Sequence, residues 1–150
     1  TLMKIPVLKQ VIVKVAVARF SRIFASMMAA GVSVLDSIEV TGKAIGNSVL
    51  EDELIAAAKM VANGSQLSQP LSESKVFPAI VAQMLAVGEE TGQIDEVLIK
   101  VAEFYEDEVD ATVESLSSIL EPIMIVIMGA MVGLIAASVI SPISNLSNQI

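Results

Sequence analysis

Carboxylates are the groups with chemical potential in this sequence. It has no cysteine and no histidine. That removes thiolate nucleophiles, disulfides, imidazole bases and His- or Cys-ligated zinc in one step. Seventeen acids stand against nine Lys/Arg, for a net charge of −8. The densest cluster is Gly88-Glu89-Glu90-Thr91-Gly92, followed by Asp95 and Glu96. Carboxylates gathered at a chain corner suit a hard cation such as Ca²⁺ or Mg²⁺ held through oxygen. Glu89, Glu90, Asp95 and Glu96 are therefore the candidate metal ligands. A plainer reading accounts for the same residues and is preferred. Gly92 ends one helix, and Asp95 and Glu96 meet the positive end of the next. The regular alternate ligand spacing of a calcium loop is missing, so neither a catalytic set nor a cofactor is expected.

A second group of acids, Glu106, Asp107, Glu108 and Asp110, follows Phe104-Tyr105. Such a run is most simply the solvated face of a helix; its functional reading is a surface for a partner. Two further features lie beyond it. Glu121–Pro122 marks a change from polar to apolar sequence, where Pro122 removes the hydrogen bond to the Ser118 carbonyl and invites a kink, read equally as a hinge at membrane entry or as a plain helix-entry bend. Ser117 and Ser118, one turn back, are placed to satisfy the freed backbone. Gly129, Gly133, Ala137 and Ser141 recur every fourth position, a row of small residues against which another helix can pack closely in lipid.

One long element must position all of these. From Ile94 to Ser118 apolar residues recur at three-and-four spacing (Ile94, Val97, Leu98, Val101, Phe104, Tyr105, Val109, Val113, Leu116), the stripe of an amphipathic helix. After Glu121 no charged residue follows, and from Ile123 to Ile140 Ser138 is the only polar side chain. Such a stretch rises about 27 Å as a helix, close to the hydrocarbon thickness of a bilayer. The expectation is one helix, soluble first and membrane-spanning afterwards.

The remaining sequence reads as shorter helices that cover the soluble half. Residues 1–10, with Pro6, form an approach segment; Val11–Ala30 is the first helix, stopped by Gly31. Ser33 caps a second helix with Asp36 as its reciprocal partner, burying Val34, Leu35 and Ile38. Ser48 and Glu51 repeat that signature for a third. A short fourth helix spans Ser65–Ser72, bent at Pro70, and a fifth begins at Phe77–Pro78 with proline in the first turn. Few aromatics, eight methionines and the absence of strand alternation make the fold class all-α, an antiparallel bundle of about six helices whose last member continues through a membrane. The expected divisions are 1–118 as the helical body, 119–141 as the span and 142–150 as a short tail on the far side.

Charge is distributed unevenly. Residues 1–35 hold five bases and no acid, while 36–121 hold all seventeen acids and four lysines. No aromatic interleaving accompanies the bases, and an acidic body repels phosphate, so nucleic acid is not an expected partner. A cytoplasmic juxtamembrane segment fits better, since positive residues gather on that side. No cleavable secretory signal is expected, and Thr1 in place of an initiator Met suggests part of a longer chain.

Four runs, ARFSRIFASMMAAGVSVLDSIEV (18–40), FPAIVAQMLAVGEETGQIDEVL (77–98), VAEFYEDEVD (101–110) and LEPIMIVIMGAMVGLIAASVISPI (120–143), resemble the F-domain of bacterial type II secretion and type IV pilus biogenesis. That is the PilC/GspF family of inner-membrane platform proteins. The likeness covers nearly the whole chain, with the motifs in order. Departures are Ser138–Ser141, where the family's usual bulky apolar residues precede the final Pro, and a small polar residue near position 33 in place of a frequent Pro. The resemblance implies two cytoplasmic domains and three spans, of which this would be the second domain and the last span. It also implies a non-enzymatic scaffold in the bacterial inner membrane, with its main domain cytoplasmic. Its partners would be the assembly ATPase, pilin or pseudopilin subunits and other copies of itself. Two other classes compete: a transporter or channel subunit, which ought to carry ion-path residues inside its span, and a soluble oligomer that buries the apolar helix.

Overall fold

A computed structural model describes residues 6–149. Among these residues there are six helices and no strand: α1 Pro6–Ala29, α2 Val34–Ile45, α3 Ser48–Ala62, α4 Ser68–Ser72, α5 Ala79–Thr91 and α6 Ile94–Ser147. The chain divides after Asp110 into two compact units, so α6 contributes its first turns to one and the remainder to the other.

Several boundaries differ from the sequence reading for identifiable reasons. Pro6 is not in an approach segment; it opens α1 as its first residue, where its missing N–H has no helical partner to lose and its fixed φ already suits the helix. The five residues before it lie outside the described residues. Gly31, at φ 81°, closes α1 as expected: the Val32 N–H donates to the Met27 carbonyl and the Gly31 N–H to that of Met28, both at 3.0 Å. These are the paired bonds of a left-handed helix stop. Ser33 caps α2, accepting from the Asp36 N–H at 3.2 Å, while its hydroxyl donates to the Asp36 carboxylate at 2.7 Å. The cap of α3 is not Ser48 but Asn47, whose side-chain oxygen takes the N–H groups of Val49 and Leu50. An amide oxygen one residue earlier reaches both orphan donors, and Ser48 becomes the first helical residue. α4 starts at Ser68 rather than Ser65, and α5 at Ala79, with Pro78 extended just outside it. The turn before Pro78 is held by Ser74 Oγ, which accepts from Val76 and Phe77.

Helices adjacent in sequence pack on one another: α1 on α2, α2 on α3, α3 on α4 and α4 on α5. The first turns of α6 supply Leu98, Val101 and Tyr105 to the same core. At its centre, Phe20 stacks on Phe24 with ring centroids 5.5 Å apart and meets Phe77 edge-on at 5.2 Å. Each such buried ring contributes about 1.5–3 kcal/mol relative to exposure. Leu50, Leu54, Leu67, Leu71 and Leu85 fill the space around them with no accessible surface to speak of. The expected burial of Leu35 fails. The side chain is 41% exposed, because the apolar face of α2 is wider than the core it meets. Ile38 is buried as expected, and Ile45 lies buried beyond it on the same helix.

The second unit is the continuation of α6. Every residue from Val113 to Gln149 is exposed, including Val126 at 71% and Leu134 at 70%. Its most apolar window has a mean hydropathy of 2.7, and none of that window is buried. Among the described residues no other element of the chain covers it, so it is not a core helix of this chain's own body. By length and composition the helix can cross a bilayer. The helix runs through Pro142 to Ser147, so most of the expected tail is helical.

Candidate functional site

The acidic corner between α5 and α6 is built around a backbone contact. Gly88 is buried, and a Cβ on it would stand 2.9 Å from Ile94 Cα and 3.3 Å from Ile94 N. Only glycine lets the last turn of α5 lie this close to the first residue of α6. Gly92 then closes α5 in the left-handed conformation (φ 72°), with the Gly92 and Gln93 N–H groups both donating to the Gly88 carbonyl. Asp95 and Glu96 sit in the first turn of α6, where negative charge meets the partial positive charge of the helix start.

Glu89 has turned away from this corner. Its Oε1 accepts from the backbone N–H of Leu67 at 2.7 Å and of Ser68 at 3.3 Å, tying α5 to the start of α4. Its Oε2 is buried with no partner among the described residues. Glu90 is exposed, Asp95 is half-buried and Glu96 is exposed. Among the described residues no three carboxylates are grouped closely enough to hold a metal ion. The structure therefore places the candidate ligands as a tertiary cap (Glu89), a helix-start pair (Asp95, Glu96) and a solvated side chain (Glu90).

The acidic strip on α6 is divided in its contacts. Glu106 takes a two-pronged hydrogen bond from Arg22, at 3.2 Å from Nε and 2.7 Å from the terminal nitrogen. Glu108 is 2.9 Å from Lys14 Nζ. The Glu106 carboxylate holds the Arg22 proton still more firmly than usual, chiefly through that hydrogen bond and then through charge. Part of the basic leading segment and part of the acidic strip thus complement each other between α1 and α6. Asp107 and Asp110 remain exposed. Asp110 borders an open groove of about 410 Å³ with Arg19, Arg22 and Glu106 on its rim and Val15, Ala18, Ile23 and Val109 on its floor. Tyr105, immediately before this strip, is buried, and burial together with the Glu108 charge raises its phenol above the ordinary value.

At Glu121–Pro122 the helix continues without interruption. The Ser118 hydroxyl donates to the Glu114 carbonyl at 3.0 Å, so it serves the turn behind it rather than the carbonyl that Pro122 frees. Further along, Ser138 donates to the Leu134 carbonyl at 2.8 Å. The one polar side chain of the apolar stretch is therefore satisfied within its own helix, which removes its cost in hydrocarbon. Beyond their own helix neighbours, Gly129 and Gly133 have nothing within 4 Å of where a Cβ would stand, and Ala137 and Ser141 are exposed on the same helix.

Sequence reasoning missed three things here: the close approach at Gly88, the cap formed by Glu89 and the pairing of Lys14 and Arg22. The first had a signal, a glycine inside an otherwise strong helix pattern. The other two join residues 21 to 94 positions apart and had none.

Comparison with known proteins places these features in a family. The family described as type II secretion system (T2SS), protein F matches residues 20–142. The type IV pilus assembly protein PilC of Myxococcus xanthus is 44% identical over 145 residues, which is 97% of this chain and 35% of that protein. PilC of Thermus thermophilus is 42% identical over 142 residues, 94% of this chain and 35% of its own length. The type II secretion system protein F of Pseudomonas aeruginosa is 27% identical over 149 residues, 99% of this chain and 37% of its own. The chain thus spans little more than a third of the length of these relatives. With an all-helical body ending in a long apolar helix, it belongs to the type II secretion system protein F family.

Proposed function

We propose that this chain is the second cytoplasmic domain and final span of an inner-membrane platform protein in a type IV pilus or type II secretion machine. In this reading residues 1–118 lie in the cytoplasm, 119–141 cross the membrane and 142–150 are translocated. The platform couples the assembly ATPase to the addition or removal of pilin or pseudopilin subunits, works together with other copies of itself and performs no catalysis of its own. The observation that carries the reading is the form of α6. One helix gives its first turns to the core of the body and then becomes an uncovered apolar segment long enough to span a bilayer. Motion or load on the body is thereby joined covalently and helically to the membrane. Family membership supplies the machine.

Within the acidic strip, Asp107 and Asp110 are the acids exposed for a motor contact, since Glu106 and Glu108 are engaged with α1. The test is complementation of a deletion strain with the full-length protein. Asp107→Lys/Asp110→Lys should keep normal abundance in the inner membrane, lose cross-linking to the ATPase and lose pili or secretion. A deletion strain that assembles and secretes normally would overturn the platform reading. Retained cross-linking in the double variant would overturn only the choice of surface. The transporter alternative is disfavoured by an apolar run, Ile123 to Ile140, whose one polar side chain, Ser138, is bonded to its own helix.

A further inference from the structure

Helices α2 and α3 leave an open apolar groove of about 420 Å³ between them, floored by Leu35, Ile38, Leu54 and Ile55. Leu35 is 41% and Ile55 49% exposed, so the groove presents apolar surface that the core does not use. Its rim carries Glu39 and Lys43 from α2 and Glu51 and Lys59 from α3. Two acids and two bases make the rim neutral on a chain of net charge −8. An approaching copy of such a chain meets like charge over most of its surface, and a neutral apolar groove is where that repulsion is weakest.

The order of the α3 charges carries the argument further. Glu51, Ile55 and Lys59 are spaced four apart, so they drift only about 80° around the helix in total and share one face, with each charge about 6 Å along the axis from Ile55. Glu39 and Lys43 are already paired with each other at 3.0 Å. Glu51 and Lys59 have no ion pair among the described residues. A helix face that reads acid, apolar, base is complementary to itself when turned end for end. Ala58 and Ala62 beside it keep the surface low enough for a second helix to approach.

We propose that this groove is where two copies of the chain meet, α3 lying antiparallel on α3 about a two-fold axis through Ile55. Glu51 of each copy then faces Lys59 of the other, and Leu35 and Ile55 are covered at the centre. This arrangement has the self-complementarity a two-fold interface requires, with an apolar middle, a polar rim and charges that set the register. The inference gives a surface to the self-association included in the platform reading. Its test does not use pilus or secretion activity, so either can fail alone.

The experiment uses the full-length protein in native membranes, with any cysteines outside this sequence replaced. A residue on a two-fold axis meets its own copy, so Ile55→Cys should oxidise to a product of twice the chain mass, and Asp107→Cys should not. In the Ile55→Cys background, Glu51→Lys should lower the yield roughly fivefold, since two weak opposite-charge pairs become two like-charge pairs. Lys59→Glu should do the same, and the two changes together should restore the yield. These side chains lie on the surface, and thermal unfolding of each variant checks that its fold is kept. Absence of the double-mass product from a folded Ile55→Cys protein would overturn the proposal. So would a product of any other mass, which would mean a different occupant, or a double exchange that fails to restore the yield.

Discussion

Replacing Gly88 with alanine tests the packing at the α5–α6 corner most directly. The new Cβ would lie 2.9 Å from Ile94 Cα, 3.3 Å from Ile94 N and 3.4 Å from the Gln93 carbonyl oxygen. Carbon atoms rest about 3.5–4.0 Å apart, so the two helices have to separate by roughly 0.6–1.1 Å. The obstacle is backbone, which cannot swing aside as a side chain can. The corner is also held by the Gln93 N–H to Gly88 carbonyl bond at 3.0 Å, and by the fully buried Leu85 and Leu98 on either side. Overpacking of this kind costs about 1–3 kcal/mol, with the upper part of that range expected here. Alanine returns about 0.5–1 kcal/mol through its better helix propensity. The net loss is about 1–2.5 kcal/mol, or a Tm lower by roughly 5–15 °C for a body of this size. Far-UV circular dichroism of the detergent-solubilised protein measures it. Gly129→Ala is the control, since nothing beyond its own helix neighbours lies within 4 Å of the added atom, and its Tm should not fall. A Tm for Gly88→Ala equal to or above the parent would refute the close-approach argument.

Other perturbations have equally definite outcomes. Glu89→Ala removes a charged acceptor from two backbone N–H groups and should destabilise the body by about 2–3 kcal/mol, with Glu89→Gln losing less. Millimolar Ca²⁺ should leave the parent Tm nearly unchanged; a large rise abolished in Glu89→Gln would instead establish a cation site. Tyr105 is raised by burial and by Glu108, so its contribution to stability is whole below the ordinary phenol value near ~10 and is lost as pH climbs through the higher folded value. Tyr105→Phe should flatten that alkaline decline in a urea titration. A cysteine at Ser147 should react with an impermeant thiol reagent on intact spheroplasts, because the nine Lys/Arg all precede the apolar stretch; labelling only after lysis would reverse the topology. Gly133→Leu should reach the membrane at normal abundance and lose pilus or secretion assembly, with Met131→Leu tolerated, if the small-residue row packs a partner helix.

The features legible in the sequence are those written in local periodicity. The stripe from Ile94 to Tyr105, the unbroken apolar run after Glu121 and the glycine stops at Gly31 and Gly92 each rest on residues within a few positions of one another. Pro6 was misread because a proline marks a boundary without saying on which side the helix lies. Leu35 was misassigned because periodicity names the apolar face of a helix but not how much of that face the core can cover. The fate of the acidic strip was out of reach for a different reason: Glu106 and Glu108 meet residues 84 and 94 positions away, and no local pattern distinguishes a paired acid from a solvated one. The candidate metal ligands show the same limit, since a cluster in sequence became three separate roles once Glu89 crossed to α4.

The ion pair between Lys14 and Glu108 also bears on how the protein is made. Lys14 leaves the ribosome 94 residues ahead of its partner, a delay of about 5–20 s at ordinary bacterial rates of synthesis. During that interval the first helix displays its positive charge without the acids of α6 and without the leucine and tyrosine that complete the core. Glu108 is followed within fifteen positions by Ile123, where the apolar run begins. The body therefore finishes folding in the same moments that the apolar run, which we propose spans the membrane, is synthesised, and a nascent chain stalled before α6 would expose both an unfilled core and an uncompensated basic helix.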